Sequence, residues 1–181
     1  MNQLTFGLSL DELLALDEEL FLTLEEAFVL VQKELTDLAL SERFGSVITQ
    51  AFGETVDAEV VEEIRRQWAA GDFGALPEVR ILTEGELQGA RGAYAKELNT
   101  VFLAQEFVAR NQEKAEEILA VWLEEIGHFV DTQINAVDMT GDEGEFFSVL
   151  VRKHLFNQTQ VDEIRADNDT EIFEESRVFW I

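Results

Sequence analysis

Residues 119–145, LAVWLEEIGHFVDTQINAVDMTGDEGE, decide how this chain is read. Ile118, Leu119, Trp122, Ile126, Phe129 and Val130 recur at helical spacing. They predict one long helix over residues 112–136 with a wide apolar face. Residues 138–142 read as an acidic turn. A further helix over 143–154 turns Phe146, Phe147, Leu150 and Val151 inward. The stretch holds His128, one of only two histidines in the chain, with carboxylates at helical spacing around it. The second, His154, follows Arg152 and Lys153 and is expected to be exposed.

Upstream, residues 100–103 (TVFL) read as an edge strand, entered through a turn that begins at Gly92. Residues 78–82 (EVRIL) alternate and are β-branched, a second strand. Gly85, Gly89 and Gly92 punctuate the segment between them. Their spacing has the outline of a phosphate loop, but no Lys-Ser/Thr follows and the surroundings are acidic, so that reading is rejected. Asp57 caps a helix over 58–70 that carries Val61, Ile64 and Trp68 on one face and stops at Gly71. Arg65 and Arg66 on this helix read as partners for the acidic surface. A short helix over 42–52 ends at Gly53. Residues 1–40 read as two helices, 11–21 and 24–40, each opened by a capping box: Ser9 with Glu12, and Thr23 with Glu26. The second carries Glu25, Glu26, Glu34 and Asp37 opposite its apolar face. That outer face is a solvated surface or a partner-binding one. Downstream, Thr159 caps residues 160–166. Residues 171–181 read as a closing hairpin. With no repeat, linker or low-complexity segment, the expectation is one mostly helical α+β domain with a small sheet, spanning 1–181. Within it, 1–40 is an N-terminal helical segment, 41–170 the core and 171–181 the hairpin.

Composition limits function. A chain of 181 residues with 46% hydrophobic content and fourteen Phe can bury a sizeable core. No apolar run reaches the roughly 18 residues of a membrane span. The N-terminus lacks the basic flank and cleavage site of a signal peptide, so the chain is expected to be cytoplasmic, or exported by a route that reads no such signal. Without cysteine there are no thiolate ligands, and any metal must be held by oxygen and imidazole. Thirteen Lys and Arg against 38 Asp and Glu leave a net charge of −25. That balance opposes direct nucleic-acid binding, which depends on phosphate neutralisation. It leaves room for a hydrated surface in a calcium-rich setting, for a nucleic-acid-mimic decoy, or for solubility alone.

The constellation follows from helical geometry. Glu124, His128, Asp131 and Asn135 line one stripe, because residues four and seven apart share a face. A carboxylate four residues before an imidazole can chelate one cation with it, as two histidines do in H-E-x-x-H. Glu125 then takes the position of the glutamate that activates metal-bound water. A third ligand must come from another element; Glu143 is the first choice, with Asp131 or Asp142 as substitutes. Gly127 would let another backbone approach closely. Replacing a histidine by Glu124 favours harder ions, so zinc, calcium and no metal all stay open. Asp138, Asp142 and Glu143 also form an oxygen-rich run, although off the spacing of a helix-loop-helix calcium site. The plain alternative makes His128 a core histidine bonded to a carboxylate, and Asp142 a helix cap.

The run L-E-E-I-G-H-F-V-D with N-x-x-D-x-x-G-D-E-G-E-x-F resembles a domain of large cyanobacterial proteins that carry haemolysin-type calcium-binding repeats. The likeness extends through W-A-A-G-D-F and G-A-Y-A-K-E-L-N-T-V-F-L and covers roughly residues 44–170. That domain is similar to a zincin metallopeptidase core, an edge strand followed by an active-site helix. The resemblance implies Glu125 as general base, His128 as metal ligand and Glu124 as a replaced ligand. Ile134 stands where an extended motif has its further histidine, so the glutamate class, with Glu143 as third ligand, fits better. The calcium-binding nonapeptides themselves are absent.

Three functions follow as expectations. The first is a zincin-like domain, active as a metal-dependent peptidase or degenerate. The second is a non-catalytic accessory or interaction domain of an exported calcium-binding system, with an unidentified protein or peptide partner. The third, an acidic decoy, ranks last because the acid is spread along nearly every helix rather than set in phosphate-like rows. The favoured combination is the scaffold of the first with the inactivity of the second.

Overall fold

The computed structural model describes residues 18–135 and 143–152. Among them are six α-helices and a three-stranded sheet. In chain order these are α1 (Glu18–Leu40), α2 (Phe44–Phe52), α3 (Ala58–Ala69), β1 (Glu78–Leu82), β2 (Gly92–Ala95), β3 (Thr100–Ala104), α4 (Gln105–Arg110), α5 (Ala115–Ile134) and α6 (Glu143–Val151). The expected mostly helical α+β domain with a small sheet is what is observed. No helix among the described residues is long and apolar enough to cross a membrane.

The sheet order is β1-β3-β2, with β1 parallel and β2 antiparallel to β3. This corrects the expectation that TVFL is an edge strand. Thr100, Val101, Phe102, Leu103 and Ala104 are all buried, as a central strand covered on both faces must be. The edges are β1 and GAYA, the latter hidden from an apolar pattern by its glycine and alanines. Gly92 pairs with Leu103 and Ala95 with Thr100.

The predicted long helix over 112–136 begins later, at Ala115. The separate α4 precedes it, and Asn111 and Lys114 close the turn between them, Lys114 N–H donating to Asn111 O at 2.8 Å. The two helices read from residues 11–21 and 24–40 also need correction. From Glu18 the chain is one continuous α1. Thr23 is buried, and its hydroxyl donates to the carbonyl of Glu19 one turn back at 2.8 Å instead of capping a new helix. Such back-bonding is the usual fate of a threonine inside a helix. The cap at Asp57 is as expected, its carboxylate accepting from Glu59 N–H and Val60 N–H. Gly53 and Gly71 end α2 and α3 at positive φ, 86° and 70°, where a side chain would be strained. The capping box at Ser9, the cap at Thr159 with its helix over 160–166, the turn at 138–142 and the hairpin at 171–181 lie outside the described residues.

Helix α5 is the axis of the core. Thirteen of its residues are buried, among them Ile118, Trp122, Leu123, Ile126 and Val130. It packs against α1, α6, β2 and β3. Trp122 stacks on Phe28 of α1 with ring centroids 5.3 Å apart, and Phe147 of α6 meets Phe52 at 5.4 Å and Trp68 at 6.3 Å. Arg65 donates to Ala39 O at 3.0 Å and lies over the Phe44 ring, while Arg66 pairs with Glu63. The two arginines therefore tie α3 to its neighbours and to its own acids.

Candidate functional site

The turn of α5 that carries Glu124, Glu125, Gly127 and His128 is clamped between two elements. On one flank is α6. A Cβ added at Gly127 would stand 2.7 Å from Gly144 Cα and 3.1 Å from Phe147 Cβ. One added at Gly144 would stand 2.5 Å from His128 Nε2 and 2.6 Å from Glu124 O. Two facing glycines thus let the helix backbones touch, as the reading of Gly127 anticipated. The half-buried imidazole of His128 lies against the first turn of α6. Glu143, beside Gly144, is buried, so chain topology does bring the third candidate residue to this flank.

On the other flank is β2. A methyl group at Gly92 would lie 2.6 Å from Val121 Cγ1 and 2.9 Å from Glu125 Oε1. The Glu125 carboxylate is therefore covered by the edge-strand backbone, and the residue is only 4% exposed. Tyr94, two residues on and on the same side of the strand, packs edge-on against Phe129 at 5.9 Å. Its hydroxyl donates to Asn99 Oδ1 at 3.2 Å. Burial pushes the Tyr94 phenol above its ordinary value. The Thr132 hydroxyl pulls it down, and the Glu97 charge pushes it up further.

The remaining candidates have structural neighbours of their own. Asp131 is buried and accepts from the side-chain amide of Asn135 at 2.6 Å. The same amide donates to Phe52 O at 3.2 Å, and Asp57 N–H donates to Ile134 O at 2.9 Å. The lower end of the predicted stripe thus ties the end of α5 to the α2–α3 region. Glu124 is half-buried and feels Arg152, the residue that follows α6. Burial lowers the Arg152 guanidinium from its usual value, while the charges of Glu117, Glu124, Glu116 and Glu145 oppose that shift.

Among the described residues, no three of the His, Asp and Glu side chains come together in a way that could hold an ion. Asp138 and Asp142 lie outside those residues. No buried side-chain nitrogen or oxygen in the described part lacks a hydrogen-bond partner, so the buried acids are satisfied within the fold. A concavity of about 440 Å³ follows one face of α3, lined by Ala58, Glu59, Glu62, Glu63 and Arg66. It has a single wall and includes none of the α5 residues, so it forms no part of this constellation. Sequence reasoning missed Gly92 and Gly144 as the residues that set where Glu125 and His128 lie. The signal for Gly92 was present in the alternation of G-A-Y-A, and that for Gly144 in the glycine one residue after Glu143.

No family model matches the chain, and neither the curated proteins nor the solved structures yield a match.

Proposed function

We propose that this chain is a zincin-like domain that has kept the scaffold and given up the chemistry, acting as a non-catalytic accessory or interaction module. The scaffold reading is supported by chain order. A small sheet with an antiparallel edge strand precedes α5, which carries Glu124-Glu125-Ile126-Gly127-His128, and α6 returns Glu143 to its flank. The observation that carries the inactive reading is the seat of Glu125. A general base must reach a water, and this carboxylate lies beneath the Gly92 backbone. The partner in this reading is a protein or peptide. The strongly acidic surface disfavours a nucleic acid.

Metal analysis and a casein hydrolysis assay on wild type and Glu125→Gln test the proposal. The expected result is sub-stoichiometric zinc, no hydrolysis above background in either protein, and melting that is indifferent to a zinc chelator. Calcium should raise the melting temperature of both proteins equally, by relieving acid–acid repulsion away from Glu125. Stoichiometric zinc, with hydrolysis that falls about 10²-fold or more in Glu125→Gln, would show the water-activating role instead and overturn the reading.

A further inference from the structure

Helix α1 buries Leu20, Leu24, Ala27, Val31, Leu35 and Leu38 against the rest of the domain. Its opposite face is not uniformly polar. Leu22 is 54% exposed, Val29 53% and Leu40 66%. The positions of these three are what matters. Val31 marks the middle of the buried face. Leu22 and Leu40 stand nine residues on either side of it (31 − 22 and 40 − 31), which at about 100° per residue is half a turn around the axis. Val29 falls within about 20° of the same line. The three side chains therefore lie along the summit of the helix, diametrically opposite the core, with Lys33 on the same line between Val29 and Leu40. They are not overspill from the margin of the buried face.

The stripe is bordered by acid. Glu18, Glu19 and Glu26 lie within one turn of Leu22, Glu25 and Glu26 within one turn of Val29, and Asp37 within one turn of Leu40. The helix carries six acids against a single cation, Lys33. That lysine is engaged by its own helix, Nζ lying 2.9 Å from Asp37 and 3.3 Å from Glu34, and the bond to Asp37 followed by that to Glu34 raises its pKa. A second copy of this chain would set the same acid border against itself in a molecule of net charge −25. An anionic lipid surface is repelled for the same reason.

We propose that this stripe is a docking surface for a basic amphipathic helix of a partner protein, with Leu22, Val29 and Leu40 as its apolar contacts and the bordering acids as its charge complement. The inference stands on α1 alone and is independent of the reading of α5. An 18-residue span between Leu22 and Leu40 (40 − 22) is about 27 Å of helix, so a partner helix of about 20 residues lying along α1 would cover it. Apolar anchors would fix its position and the acid rims would favour lysine and arginine at its edges.

The probe is a fluorescein-labelled amphipathic helical peptide of about 20 leucine and lysine residues, followed by anisotropy at physiological salt. Saturable binding by wild type is expected. Leu22→Gln/Val29→Gln/Leu40→Gln, which keeps good helix formers at all three positions, should weaken it about tenfold or more with unchanged circular dichroism and melting. Glu19→Lys/Glu26→Lys, which leaves the apolar stripe in place, should weaken it as well. Absence of saturable binding overturns the proposal. So does equal binding by the triple variant, which would leave charge alone as the cause. A dimer in sedimentation that the triple variant dissolves would identify a second copy as occupant. Wild-type binding to phosphatidylcholine vesicles that the triple variant loses would identify a lipid surface. A triple variant that melts several degrees lower would show the stripe to be covered by the chain itself. Each of these three results also rejects the partner helix.

Discussion

The two flanks of α5 use glycine for opposite ends. Towards α6, Gly127 and Gly144 face one another, and what each would strike is largely fixed: Gly144 Cα and O for the first, Glu124 O and the His128 ring for the second. Towards β2, Gly92 would strike only side-chain atoms, of Val121 and Glu125. The first flank is a backbone-to-backbone contact. The second is a backbone laid over a carboxylate and a methyl group, both on rotatable bonds. One helical turn thus sends its imidazole to a rigid seam and its carboxylate to a yielding one. Glu125 and His128 are three residues apart in a pattern that suggests a base and a ligand working at one cation, yet each lies against a different neighbour. Spacing along a helix establishes which residues can converge; the neighbouring elements decide whether they do.

The rigid seam should give the largest response. In Gly144→Ala the new methyl meets Glu124 O at 2.6 Å, so the two helices must part. A loss of about 3 kcal/mol is expected, a fall in melting temperature of about 6–12 °C. Truncating the imidazole should not rescue it, because in Gly144→Ala/His128→Ala the carbonyl remains. Full rescue would show that the seam is set by the His128 ring rather than by the backbone. Gly127→Ala should cost less, about 1–2 kcal/mol, since overpacking against Gly144 is offset in part by the better helix propensity of alanine. An unchanged melting temperature in Gly127→Ala would mean that the α5–α6 contact is looser than described.

The yielding flank should behave differently. Gly92→Ala is expected to cost about 1 kcal/mol, because the new methyl meets only side-chain atoms and the short edge strand can draw back slightly from α5. Here rescue should work: Gly92→Ala/Val121→Ala removes the closer clash at 2.6 Å, and the coupling in a double-mutant cycle should be favourable by about 0.5 kcal/mol or more. Strictly additive effects would mean that β2 does not lie on Val121.

Much of this was legible before the fold was known, and the limits have physical causes. The cap at Asp57, the stops at Gly53 and Gly71, and the apolar faces of α1, α3 and α5 are local signals that tertiary packing left intact. Thr23 misled because a hydroxyl at an N-cap and a hydroxyl bonded back to the preceding turn look alike in sequence; only the continuity of α1 separates them. TVFL was read as a strand but misplaced within the sheet. A central strand is identified by what covers it, and GAYA, the strand that makes it central, carries almost no hydrophobic signal. At the site, Glu124, His128 and Asp131 share α5 as helical geometry requires, while Asn135 lies just past the helix end in extended backbone. The Asp131–Asn135 bond and the reach of that amide to Phe52 O depend on α2, which no spacing within α5 could announce. The burial of Glu125 beside Gly92 depends on a contact with the β2 edge strand, which no spacing within α5 could announce either.

The smallest effect is also the most local report on the β2 flank. Tyr94 is the only tyrosine in the chain, so phenolate absorbance follows it without interference. Burial, chiefly beneath the α5 flank, raises its pKa above the ordinary 10.0, the Thr132 hydroxyl lowers it, and Glu97 raises it. The phenol should therefore titrate above 10.0, move higher in Thr132→Val, and move slightly lower in Glu97→Gln. Because the folded value lies above the unfolded one, the stability linked to this proton is fully present below the unfolded pKa. It is lost as the pH rises through the folded pKa. The same titration separates the two flanks. Gly92→Ala, which lifts β2 from α5, should bring the midpoint down towards the ordinary value while the protein stays folded. Gly144→Ala acts on the far side of the helix and should leave the midpoint in place up to its own melting. A midpoint that ignores Gly92→Ala would mean that the phenol is covered by something other than α5, and the contrast between a rigid and a yielding flank would lose its second half.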